Sequence, residues 1–251
     1  MGLNDWLLLA EAVVGAGLVV SVWRLDRERL LGVISIGLIL IASVGGKVIT
    51  VFGHETNAGN VFYACVFLAT YFLIERYGAR QGFRAIWWGA TAVAGFLAMA
   101  ELSVALAGSG ATGSFDAALA LVFSRAARVA LASLLAYVVS QSVNVRLYLY
   151  LKERFAGERL WLRAVLASAV AQALDSAIFF SLAFAGLLPV AHLVDILATG
   201  YAVKVAFMAL AAPLLYLNNV EHEEEGGVAS VLVRYDRLAA LRPPVEEVVL
   251  K

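Results

Sequence analysis

The sequence predicts an all-α polytopic membrane protein with seven transmembrane helices, its N-terminus outside and its C-terminus cytoplasmic. Three observations carry that expectation. Of the 251 residues, 62% are hydrophobic and only 15% charged, and the mean hydropathy is +0.85; apolar runs of about twenty residues are what a bilayer demands. The basic residues fall on one side only, and the few that break the pattern lie inside apolar segments.

Seven such segments run about Leu3–Trp23, Leu30–Phe52, Ala58–Tyr77, Phe83–Ala107, Asp116–Leu151, Leu160–Leu188 and His192–Leu217. In lipid each must satisfy its own backbone, so each is expected to be a helix. The first is not expected to be a cleavable signal, because it opens with acids rather than bases and its apolar span is too long. Of the 19 Lys and Arg residues, 15 lie at 24, 27, 29, 76, 80, 84, 146, 152, 154, 159 and 163 or in the tail at 234, 237, 242 and 251. The alternate connections GHET, GSGATGS and PVAH hold none. The positive-inside rule then sets the orientation.

Several function classes are disfavoured. A net charge of zero gives no reason to expect a nucleic-acid partner. The single cysteine, Cys65, allows no internal disulfide. His54, His192 and His222 have no metal-ligand spacing, and no cofactor is expected. No catalytic triad can be assembled from the chain, so an enzyme is not expected. VGGKVIT at 44–50 lacks the spacing of a phosphate loop and lies in an apolar run. EHEEEGG at 221–227 reads as a solvated linker.

The remaining bases, Lys47, Arg125, Arg128 and Lys204, fall inside predicted spans, as do Glu11, Glu75, Glu101 and Asp175. A charge at bilayer depth is costly unless paired or hydrated, so these positions are where function is sought. The fifth segment carries Ser133, Tyr137, Gln141 and Asn144, and the sixth Ser168, Gln172, Asp175 and Phe179, each set on one helical face. Counting from a turn near Ala156 sets Asp175 level with Tyr137 and Gln172 level with Gln141. Counting from the next turn brings Lys204 to the depth of Asp175.

Plainer readings stand beside this one. Asp175–Lys204 and Glu101–Arg125 can be packing ion pairs, and Glu11 can reach the headgroups. Glu75 with Arg76 can be a solvated pair. The polar stripes can be interhelical glue, and Ala42–Gly46 and Thr91–Gly95 read as close-packing contacts.

LATYFLIERYG (68–78), RVALASLLAYVVSQSVNVRLY (128–148), LWLRAVLASAVAQALDSAIFFSLAF (160–184) and YAVKVAFMALAAPLLYL (201–217) resemble the queuosine precursor transporters of the YhhQ type, also called vitamin uptake transporters. The resemblance covers roughly residues 40–217. It implies a six-helix transporter core at 30–217, preceded at 1–29 by an extra N-terminal helix with its basic loop and followed by a cytoplasmic tail at 218–251. It further implies import of 7-cyano- or 7-aminomethyl-7-deazaguanine for tRNA modification across a prokaryotic plasma membrane. The partners would be the planar nucleobase and the lipid bilayer, with a homodimer as a further expectation.

Thr70, Glu75, Arg128, Ser133, Gln141, Gln172, Asp175, Tyr201 and Lys204 match characteristic polar positions of that family. Tyr71 and Asn144 depart from it, standing where many members have Asp. The residues suit the substrate on their own chemistry. A carboxylate such as Asp175 accepts the paired donors of a guanine edge. Gln172, Gln141 or Lys204 suit its carbonyl, and Lys204 or Arg128 would keep Asp175 ionised. Phe179, Phe180, Tyr137 and Tyr201 can wall a flat ring. Two alternatives remain at this point: a binding subunit of an energy-coupling-factor-like vitamin transporter, and a retinal-binding photoreceptor with its Schiff base on Lys204. Gly200, where microbial rhodopsins carry Asp, speaks against the latter.

Overall fold

In the computed structural model, the structure describes residues 2–217 except 46, 110–111, 124–126, 156–157 and 185–189, with the side chains of 127–130, 180, 183–184 and 190–196 also outside the description. Eight α-helices and one β-hairpin make up the described residues: α1 (Leu3–Trp23), α2 (Arg27–Val44), β1 (Val48–Val51), β2 (His54–Asn57), α3 (Asn60–Tyr77), α4 (Ala79–Ala105), α5 (Gly113–Phe123), α6 (Ala127–Arg154), α7 (Leu160–Phe184) and α8 (Val190–Ala211), ending in a 3-10 turn, Ala212–Tyr216. Contacts divide the chain into Met1–Leu215 and Tyr216–Lys251. The tail expected at 218–251 lies outside the described residues.

Four helical stretches are long and apolar enough to cross a membrane: Leu3–Trp23, Ala79–Ala105, Leu160–Phe179 and Leu197–Tyr216. Large apolar side chains also crowd the surface, Trp6, Trp87, Trp88, Met99, Leu121 and Leu210 among them. An apolar exterior around polar interior groups is the arrangement lipid favours.

One expected segment is corrected. The second apolar run does not continue as a helix to Phe52: α2 stops at Val44, and residues 48–57 form an antiparallel hairpin with Val48 opposite Asn57 and Val51 opposite His54. The helix ends with Gly45 as its C-cap, and β-branched VITV suits a strand as well as it suits a greasy helix. The turn residues Phe52 and Gly53 both have positive φ, 51° and 84°, the signature of the primed turns that fit a twisted hairpin. The Asn57 side-chain amide donates to the Gly45 carbonyl, closing the loop onto the end of α2. The fifth run is described as α5 and α6, on either side of residues 124–126, which lie outside the described residues.

Asp5 anchors the hairpin to the first helix. Its carboxylate accepts the backbone N–H of Gly2 at 2.6 Å and of Phe52 at 2.7 Å, which also places a negative charge at the positive end of the α1 dipole. Asp26 caps α2 by accepting from Arg29 N at 2.7 Å.

Helix α3 is the axis of the bundle. Nearly every residue from Val61 to Ile74 is buried, as expected of a helix apolar on all sides. It packs against α1, α2, α4 and α8, while α6 and α7 lie against each other along their length. Close approaches rest on Gly15 against Cys65, Gly37 against Val66 and Gly89 against Leu38 and Tyr137. They do not rest on Gly95, which has open space around it; Gly46 is outside the described residues.

Candidate functional site

A cavity of about 610 Å³ lies among α2, α3, α4, α6, α7 and α8, toward the hairpin end of the bundle. That is within the roughly 300–1,000 Å³ usual for small-molecule sites. Its walls are mainly apolar or aromatic, with Leu38, Leu97, Phe123, Tyr137, Phe179 and Tyr201 among them; Asp175, Lys204, Tyr63 and Asn60 supply polar groups. Asp175 and Lys204 both lie away from the ends of long helices, α7 and α8.

The polar groups are ordered by hydrogen bonds from three helices. The Tyr63 hydroxyl donates to Asp175 Oδ1 at 2.6 Å, and Ser140 Oγ lies 3.3 Å from the same oxygen. Neither contact engages Oδ2. Lys204 forms no direct ion pair with Asp175 among the described residues; its ammonium sits 4.6 Å from the centroid of the Tyr63 ring. The tyrosine thus contacts both base and acid, presenting its face to one and its hydroxyl to the other.

One turn closer to the α6–α7 connection the chemistry changes from charged to amide. Gln172 is fully buried, and neither end of its amide finds a hydrogen-bond partner. Gln141 accepts from Asn144 Nδ2 at 3.1 Å, while its own Nε2 is unpaired. Tyr71 donates to Asn144 Oδ1 at 2.6 Å and lies 3.1 Å from the Ala164 carbonyl. Its ring stacks on Tyr148 at 4.4 Å. The two positions that depart from the family pattern, Tyr71 and Asn144, are therefore partners, and a neutral hydrogen bond joins them.

Glu75 closes the far end. It accepts from Tyr148 at 2.9 Å, from Lys152 at 3.1 Å, and pairs with Arg163 Nη2 at 3.2 Å. It is therefore not a solvated pair with Arg76, whose guanidinium lies 5.3 Å from the centroid of the Trp23 ring.

Of the residues expected at a site, the cavity brings together Asp175, Lys204, Tyr137, Tyr201 and Phe179. Gln172, Gln141 and Asn144 are buried beside it rather than lining it. Thr70 is turned to the Val66 carbonyl at 2.8 Å, and Glu75 belongs to the distant cluster. Arg128, like Arg125 and Phe180, has a side chain outside the described residues. Glu101 lines the cavity without an ion pair among the described residues, and Lys47 stands exposed before the hairpin. Sequence reasoning missed Tyr63 and Asn60. The signal was present, since Asn60, Tyr63 and Thr70 share one helical face, but an aromatic in an apolar run reads as core.

Residues 57–218 match the family described as "Putative vitamin uptake transporter". The chain belongs to that family. It is 33% identical over 171 residues, 68% of this chain and 74% of the relative, to a protein of Bacillus subtilis (strain 168) named "Probable queuosine precursor transporter". No solved structure matches. The protein is thus a multi-pass membrane transporter, and family membership removes the reason to assign Lys204 a retinal Schiff base.

Proposed function

We propose that the protein imports a queuosine precursor nucleobase, 7-cyano- or 7-aminomethyl-7-deazaguanine, through the Asp175 cavity. The single observation that carries this reading is Asp175 on the wall of a hollow large enough for a bicyclic ring and lined by aromatic side chains, with its hydrogen bonds among the described residues going to Oδ1 alone. A guanine edge offers N–H and NH₂ side by side, and an ionised carboxylate is the acceptor that suits both. Lys204 supplies the compensating charge and a donor for the ring carbonyl. Tyr137, Phe179 and Tyr201 wall the ring. The name of the Bacillus relative supports the substrate class.

Seven spans fit this reading, six as the transporter core and α1 as an addition, although the matched region, 57–218, leaves out α2 as well as α1. At 18 residues, α2 and α3 are about 27 Å long, close to a bilayer's hydrocarbon thickness. The basic connections put the α6–α7 turn in the cytoplasm, so the cavity belongs to the outer half of the bundle and the site to its middle, where transporters place substrates.

The test is uptake of labelled deazaguanines by cells or liposomes carrying the protein, with thermal shift of purified protein against both deazaguanines, guanine and common vitamins. Asp175→Asn is expected to abolish uptake and ligand-induced stabilisation while the protein still folds. Asp175→Asn/Lys204→Met is expected to keep the fold and remain inactive. Unaltered uptake by Asp175→Asn refutes the site, and stabilisation by a vitamin alone refutes the substrate.

A further inference from the structure

Gln172 is the least explained polar group in the bundle. Its side chain is fully buried with both amide ends unpaired, and the facing helix contributes a second unpaired donor, Gln141 Nε2. The register fixes where they lie. Ser140 on α6 meets Asp175 on α7, and Tyr71 bridges Asn144 on α6 to Ala164 on α7, so Gln141 and Gln172 fall between these two contacts. A glutamine serving only as glue between helices would be hydrogen-bonded. One left unpaired destabilises the closed bundle.

The surroundings form a file of polar side chains along α3, α6 and α7. It begins at Tyr63, Ser140 and Asp175, passes Gln172 and Gln141, then Asn144 and Tyr71, and ends at Tyr148 and Glu75 with Lys152 and Arg163. The last group ties three helices together: Glu75 comes from the end of α3, Tyr148 and Lys152 from α6, and Arg163 from α7. The stacked Tyr71 and Tyr148 rings fill the space between that tie and the amides. Lys152 remains partly exposed, with 37% of its side chain accessible, so water reaches the cluster from its end of the bundle.

We infer that Gln141 and Gln172 form a second, inner substrate site, closed in this conformation by the Glu75 cluster, which takes the lactam edge of the planar base after it leaves Asp175. A primary amide presents one donor and one acceptor side by side, the complement of an adjacent ring carbonyl and N–H. The Asp175 cavity and this pair are then successive stations of one route, and the Glu75–Lys152–Arg163 tie is its inner gate. The inference rests on the transport reading above.

Two experiments on the full chain decide it. The first needs no substrate. In a Cys65→Ala background, Gln172→Cys is labelled with a water-soluble thiol reagent, with and without Glu75→Gln. Loss of the tie is expected to raise the labelling rate on the order of tenfold by shifting the population toward the open gate. The milder Lys152→Gln weakens the same cluster and serves if Glu75→Gln fails to fold. An unchanged rate in a folded variant overturns the gate. The second is Gln172→Met, which removes the unpaired amide at nearly constant volume. The melting temperature is expected to hold or rise, and stabilisation by 7-cyano-7-deazaguanine at the Asp175 cavity to persist. Uptake is expected to fall on the order of tenfold, because the inner station is gone. A lowered melting temperature marks the amide as structural and overturns the inner site, as does undiminished uptake. If the unmodified protein takes up no deazaguanine, the substrate assignment fails, while the labelling result still decides the gate.

Discussion

Tyr63 is the residue whose replacement separates the forces at the cavity floor. Its hydroxyl holds Asp175 Oδ1 at 2.6 Å, its ring faces the Lys204 ammonium at 4.6 Å, and a tilted contact to Phe67 at 5.3 Å fixes the ring. Tyr63→Phe keeps the ring and removes only the hydroxyl. A hydrogen bond to a charged group contributes roughly 1.5–3 kcal/mol. Ser140, already 3.3 Å from the same oxygen, recovers part of it, leaving a net loss of about 1–2 kcal/mol. Because that bond orients the carboxylate, affinity for the base is expected to fall about five- to thirtyfold. Tyr63→Leu also removes the cation–ring contact, worth about 0.5–2 kcal/mol more in a desolvated setting. Ser140→Ala, which deletes the longer contact, is expected to change affinity by less than about threefold. The assay is ligand titration of purified protein in detergent, followed by calorimetry or thermal shift, with uptake measured in parallel. The order Ser140→Ala, Tyr63→Phe, Tyr63→Leu in rising severity is the expected result. Wild-type affinity in Tyr63→Phe refutes the idea that this hydroxyl orients the acid.

Three packing predictions follow from the glycines. A methyl group at Gly15 would lie 2.6 Å from Cys65 Sγ, so Gly15→Ala is expected to destabilise the protein by about 1–3 kcal/mol; Cys65→Ala, which removes the sulfur, is expected to restore most of that in thermal unfolding, and no restoration would mean that α1 does not dock on α3 in this way. At Gly89 an added methyl group meets Leu38 Cδ1 at 2.5 Å and the Tyr137 hydroxyl at 2.6 Å. Gly89→Ala is therefore expected to lower both stability, by about 1–3 kcal/mol, and ligand affinity, since Tyr137 is a cavity wall. Gly95→Ala meets open space and is expected to leave the melting temperature unchanged or slightly raised, given alanine's higher helix propensity.

The helical stripes were legible because a 3.6-residue period survives any apolar background. Ser168, Gln172 and Asp175 could be put on one face of α7 from spacing alone. Counting from the connecting turn set Asp175 level with Tyr137, while the bond in the structure is to Ser140, one turn away. The hairpin at 48–57 was hidden because hydropathy does not distinguish a β-branched strand from a β-branched helix; the glycine pair in the sequence at 45 and 46 and the polar HETN were the available cues. Tyr63 was hidden for a related reason, since a tyrosine among Phe, Val and Ala looks like packing until its hydroxyl is seen to have a partner 112 residues away. The Glu75 cluster was beyond reach of local counting. Glu75 has an arginine as its next neighbour, and only the packing of α3 against α6 and α7 shows that Lys152 and Arg163 are its partners. Nothing in the spacing of those residues announces a long-range tie.

The contacts of Tyr63 with both Asp175 and Lys204 bear on how a lipid-embedded acid can stay ready for a ligand. In a direct ion pair, both carboxylate oxygens tend to be taken by the ammonium, and a base entering the cavity must displace it. Breaking a buried pair costs several kcal/mol, comparable to what the new hydrogen bonds return. With no direct ion pair among the described residues, the lysine still offsets the carboxylate's charge at longer range, and one neutral hydroxyl holds one oxygen. The other oxygen can accept donors without any protein contact being given up. An acid held in this way loses little on binding a base and little on releasing it, and a transport site, unlike a storage site, needs both.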